Sequence, residues 1–125
     1  MTTTQDLRHG GVATFSAGIN NQTGTTYTLA VSDNGGIINL YNANPITLTV
    51  PQAATVAAIP TGFNCVIRQT AAGKVTVVKE GSDHLMSADS LVSLRTTNSS
   101  ATICMIGDYA GDTTRTWTLD GDLTV

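Results

Sequence analysis

The chain has 125 residues and a mass of 13.0 kDa, which fits one domain large enough to take roughly two-thirds of its unfolded surface out of water. Its net charge is −3, and its six basic residues, Arg8, Arg68, Lys74, Lys79, Arg95 and Arg115, are scattered, so the electrostatic footprint of a nucleic-acid binder is missing. No window has the apolar length of a bilayer span, and the first residues carry neither a basic nor an apolar signal region, so synthesis in the cytoplasm without secretion is expected.

Charged residues make up 12% of the chain and hydrophobic ones 41%, which leaves a polar surface of hydroxyls and amides. Such a surface suits contact with another protein, because interface cores are depleted in charge. A neutral, solvated β surface is the plainer alternative.

Residues 1–24 hold few apolar side chains, and Leu7, Val12, Phe15 and Ile19 keep a period of neither two nor 3.6. With glycines at 10, 11, 18 and 24, the segment reads as an extended N-terminal arm ahead of a β domain at 25–125. A plain tail is the alternative. If it is an arm, Leu7, Arg8, Val12, Phe15 and Ile19 are its candidate contacts to a partner or a neighbouring subunit.

From residue 26 the pattern sharpens. Tyr27, Leu29 and Val31 fall on one face and Thr26, Thr28 and Ala30 on the other, as in a half-buried strand. Asp33-Asn-Gly-Gly36 follows, then an apolar run at 37–41, so the pair reads as a hairpin. Ile46, Leu48 and Val50 alternate with Thr47 and Thr49 up to Pro51, which removes a donor from any ladder. Residues 52–60, bracketed by Pro51 and Pro60, are too short for an independent helix and read as a crossover loop with at most a helical turn. Residues 63–69 and 74–78 read as a second hairpin around Thr70-Ala-Ala-Gly73, and shorter extended pieces follow at 84–86 and 91–95. Strands at 101–106 and 115–119 complete about eight, at the spacing of an all-β antiparallel sandwich or a jelly-roll-like barrel.

Motifs that carry chemistry are missing. His9 and His84 are the only imidazoles, and neither has motif company. There is no metalloprotease helix motif, nucleophile elbow, phosphate-binding glycine loop or paired Cys-x-x-Cys. No enzymatic activity, metal or cofactor is expected. Asp108, Asp112, Asp120 and Asp122 match no calcium loop and read as solvated turn carboxylates. Cys65 and Cys104 read as buried free thiols, with a bridge between neighbouring strands left open. Trp117 reads as a core anchor, and a sugar-stacking platform, its functional rival, would want further exposed aromatics.

Several of these segments together resemble a known family. They are Thr26-Tyr-Thr-Leu-Ala-Val-Ser-Asp33 with Gly35 and Gly36, Leu48-Thr-Val-Pro51, Pro60-Thr-Gly62, the run from Gln69 to Val77, and Thr116-Trp-Thr-Leu-Asp-Gly-Asp122. Across roughly residues 25 to 124 the chain resembles a module of tailed-phage virions that supplies capsid cement, or decoration, proteins and domains of tail fibres. The stretch from Lys79 to Arg95 follows the family pattern only loosely, and the arm lies outside it.

The resemblance implies a viral structural protein on the capsid surface of the virion, made in the host cytoplasm. Its implied partners are the major capsid protein and itself, as a homotrimer, with no nucleic acid and no membrane. A chain of this size starting at its own Met1 suits decoration better than a fibre, which would add a shaft. The alternative is a tail-fibre or baseplate domain with a structural or receptor-binding role, and a carbohydrate-binding module outside any virion is a more distant third.

Overall fold

The computed structural model describes residues 17–108, 111 and 113–125. Among them eleven strands form: β1 (Ile19–Gln22), β2 (Thr26–Thr28), β3 (Ile37–Leu40), β4 (Ile46–Val50), β5 (Asn64–Gln69), β6 (Val75–Lys79), β7 (His84–Ser87), β8 (Ser93–Leu94), β9 (Ser100–Asp108), β10 (Arg115–Gly121) and β11 (Leu123–Thr124). They make two mixed sheets, in the orders β1-β3-β5-β9-β10-β7 and β11-β8-β6-β4-β2. The chain is all-β, as expected from its period-two alternation.

The expectation of antiparallel strands is overturned. Through β6, each strand lies in the opposite sheet from the one before it, so the chain winds in successive coils and next-but-one strands become parallel neighbours. Ile19 stands opposite Ile37 and Ile37 opposite Val66 in one sheet, while Thr26 stands opposite Thr47 and Thr47 opposite Thr76 in the other. Antiparallel pairing enters with β9, which runs against both β5 and β10, and with β8, which runs against β6 and β11.

Both expected hairpins are therefore corrected. β2 and β3 lie in different sheets, as do β5 and β6. The physical reason is in the turns. Asp33 turns inward to accept the amide of its own loop, with Ala30 N–H donating to Oδ2 at 2.9 Å, and Gly35, at φ 76, donates its N–H to the Asn64 carbonyl across the sheet. The Asp-Asn-Gly-Gly segment thus carries the chain from one sheet to the other instead of reversing it.

At the second turn Gly73 donates to the Asn42 carbonyl at 2.8 Å, and a Cβ on it would collide with the carbonyls of Asn42 and Asn44. Asn42 Nδ2 in turn donates to the Thr23 carbonyl at 2.8 Å. Successive corners of the coil are stacked by backbone and asparagine hydrogen bonds, which favours crossing between sheets at each of them.

Inward residues of both sheets form a single core that includes Ile38, Leu40, Ile67, Ile103 and Leu119 from one sheet and Ile46, Leu48, Val50, Val75 and Val77 from the other. Trp117 is fully buried and meets Phe63 edge-on, with ring centroids 5.8 Å apart and planes at 79°, so it is the core anchor expected of it. Residues 51–60 form the expected crossover loop, with one helical turn in which Val56 N–H donates to the Gln52 carbonyl at 3.1 Å.

Candidate docking surfaces

Of the residues singled out as contacts, Leu7, Arg8, Val12 and Phe15 lie outside the described residues. Ile19 does not belong to a separate arm, because Ile19–Gln22 is the edge strand of the six-stranded sheet, paired in parallel with β3. The side chain of Ile19 is 56% exposed. Register aligns it with Ile37 and Val66, both half-buried, and the row continues through Thr102 to Asp120. Ile106 and Met86, both exposed, and the half-buried Cys104 add to this outer face, on which Arg68 and Asp120 stand two strands apart.

The five-stranded sheet has a different outer face. Thr26, Thr47, Thr76, Ser93 and Thr124 stand in one register row across all its strands, with Thr28 and Thr49 in the next. In β4 and β6 these hydroxyls alternate with buried residues of the core, while Ser93 is itself buried and shares a hydrogen bond of 2.8 Å with Thr76. Neither row contains a charge.

Where the two sheets end together, at β1 and β2, a polar network joins them. Tyr27 hydroxyl donates to Asp33 Oδ2 at 2.6 Å, and Asn20 Nδ2 donates to Asp33 Oδ1 at 3.0 Å and to the Tyr27 oxygen at 2.8 Å. Gln22 Nε2 donates to Asn20 Oδ1 at 2.8 Å. Burial, reinforced by the Asp33 carboxylate, pushes the Tyr27 hydroxyl up to about 12. Burial first and the same carboxylate second push the Cys65 thiol up to about 12.

Cys65 points into the core and Cys104, one register step away opposite Asn64, to the outside, so the two thiols are free and the bridge left open by the sequence does not form. Only Cys65 is the fully buried thiol expected. Asp122 is more than a solvated turn carboxylate. Arg95 donates to it through Nε at 2.7 Å and Nη2 at 2.9 Å, and Ser99 hydroxyl at 2.7 Å, which hold its carboxyl below the usual range.

Sequence reasoning also missed Arg115. Its buried guanidinium donates to the carbonyls of Pro51 at 2.9 Å, Val56 at 2.6 Å and Ala57 at 3.1 Å, and so clamps the crossover loop. Its position beside Trp117 in an apolar strand was the available signal, since burying an arginine there requires acceptors.

A shallow groove of about 420 Å³ lies between the sheets at their other end, lined by Val77, Val78, Lys79, Leu85, Ser90 and Val92. Asp89 and Ser90 beside it hold the left-handed backbone conformation, at φ 55 and 58. No cluster of three or more His, Cys, Asp or Glu able to hold a metal occurs among the described residues. No protein-family model, curated protein or solved structure matches the chain.

Proposed function

We propose that this protein is a capsid decoration protein of a tailed phage, a β-sandwich that binds the assembled head lattice and stabilises it. The observation that carries the reading is the pair of broad outer faces: an uncharged hydroxyl array on one sheet, and an apolar row led by Ile19, Ile37 and Val66 on the other. Rigid strands place both in register, so a large contact area is offered at little cost in side-chain ordering. That favours adhesion to another protein surface. The resemblance of residues 25 to 124 to the phage module gives this adhesion its expected target, the major capsid protein.

The mechanism is mass action. A protein that binds only the assembled lattice shifts capsid subunits toward assembly, and several contacts per decorating unit add avidity. Chemistry plays no part in it. The alternative, a tail-fibre or baseplate domain with a structural or receptor-binding role, would use the same surfaces at far fewer sites.

The deciding experiment is the copy number of the protein relative to the major capsid protein in purified particles, by quantitative mass spectrometry. A lattice-scale ratio supports decoration. A few copies per particle move the protein to the tail, and absence from particles removes the virion reading.

A further inference from the structure

Among the described residues, the end of the molecule where β1 and β2 lie side by side leaves both sheets open. In the β1–β3 ladder Ile37 N–H donates to the Gly18 carbonyl and Tyr41 N–H to the Gln22 carbonyl, so the even residues of β1 turn their backbone toward β3. The amides and carbonyls of Ile19 and Asn21 therefore point out of the sheet. In the β2–β4 ladder Thr47 N–H donates to the Thr25 carbonyl and Leu29 N–H to the Thr49 carbonyl. There the odd residues face β4, and the backbone of Thr26 and Thr28 points outward. All four residues are exposed, and among the described residues no strand pairs with these outer sides.

Natural sheets blunt such edges with charge, proline or a bulge. None of these is present: the sequence has no charged residue and no proline from Ala17 to Ser32, and both ladders run in unbroken register. The opposite ends are different. β11 is two residues long and lies beside the Arg95–Asp122 ion pair, and β7 follows the buried Asp83.

We propose that this end is a self-association surface whose occupant is the same end of a second copy of the chain, related by a two-fold axis running through both sheets. In an antiparallel pair of β1 strands Ile19 stands opposite the other copy's Asn21, and the two exchange N–H···O bonds in both directions. The same operation sets Thr26 opposite the other copy's Thr28. One axis serves both pairings only if their centres are stacked. Those centres are Asn20 and Tyr27, and Asn20 Nδ2 donates to the Tyr27 oxygen at 2.8 Å across the gap between the sheets.

Any other partner would have to present two strands about 10 Å apart at the matching offset. A second copy does so by construction. The Asp33 network fixes the offset before association, so little ordering remains to be done, and two chains of net charge −3 meet where neither exposes a charged side chain, Asp33 being buried.

The inference is independent of head binding, and it is tested on the full chain in solution. Analytical ultracentrifugation should return twice the 13.0 kDa chain mass at micromolar concentration. In N21P/T28P each proline removes an outward N–H, a position edge strands tolerate, and N21P also removes the exposed side chain that accepts from Asn39 Nδ2 at 3.1 Å, so the fold by circular dichroism is retained while the dimer weakens by at least about a hundredfold. Amide exchange supplies a second readout that needs no variant: the N–H groups of Ile19, Asn21, Thr26 and Thr28 should gain protection as the wild-type concentration rises. A monomer at all concentrations, a trimer of the kind the resemblance implies, a dimer indifferent to the two prolines, or unprotected amides at these four positions each overturns the proposal.

Discussion

Asp33 shows how one buried carboxylate organises an end of the molecule. It accepts from Tyr27 hydroxyl, Asn20 Nδ2 and Ala30 N–H, so removing it strands three donors at once. D33A should lose about 3 kcal/mol of stability in urea titrations, whereas Y27F, which deletes one donor and the acceptor of one Asn20 N–H but leaves Asn20 and Ala30 bonded to Asp33, should lose about 1 kcal/mol. The titration of its neighbours gives a sharper test. Tyr27 and Cys65 are both pushed up to about 12, from 10.0 and 9.0, so the folded state holds their protons after the unfolded chain has released them. Where the native state binds more protons, stability falls with pH. Stability should therefore be level from neutral pH to about pH 9 and decline from there through about pH 12, and Y27F should flatten the upper part of that decline. The two thiols should also separate chemically. A water-soluble thiol reagent should modify Cys104 in the native protein and reach Cys65, 2% exposed and held protonated, only on unfolding.

At the scale of elements, corners and clamps decide the path of the chain. The Cβ of G73A would meet the carbonyls of Asn42 and Asn44, which are backbone atoms of the neighbouring corner and cannot rotate away. That variant should lose about 3 kcal/mol or fail to fold, as read by thermal denaturation. Strand existence was legible in the sequence because alternation is a local property: Ile46, Leu48 and Val50 announce β4 whatever it pairs with. Pairing was not legible, since an Asp-Asn-Gly-Gly turn suits a hairpin as well as it suits a crossing. The crossing prevails through contacts distant in sequence, Gly35 to Asn64 and Gly73 to Asn42, which no local pattern encodes. The candidate surfaces were half legible for the same reason. A wealth of threonine is visible in the composition, but its alignment into a row across five strands exists only once register is fixed.

For the whole molecule, the low charge that argued against nucleic acid bears on how the proposed docking to a capsid would work. Association driven by opposite charges weakens steeply with salt, because exposed charges are screened over about 8 Å at physiological ionic strength. The two outer faces offer little for salt to screen, since their register rows carry threonine, serine, isoleucine and valine, with Asp120 at one end of a row and Arg68 two strands from it. Contact through these faces gains its free energy from surface removed from water, a term that salt does not screen and that sulfate strengthens. Binding to bare heads should thus change by less than about threefold when sodium chloride is raised tenfold from a dilute buffer, and tighten in ammonium sulfate. I37K and V66K, which put a cation into the apolar row while leaving the inward faces of β3 and β5 untouched, should weaken head binding without a matching loss of thermal stability. A steep salt dependence, or indifference to both lysines, would assign the contact to the charged loops and leave the two faces as ordinary solvated sheet.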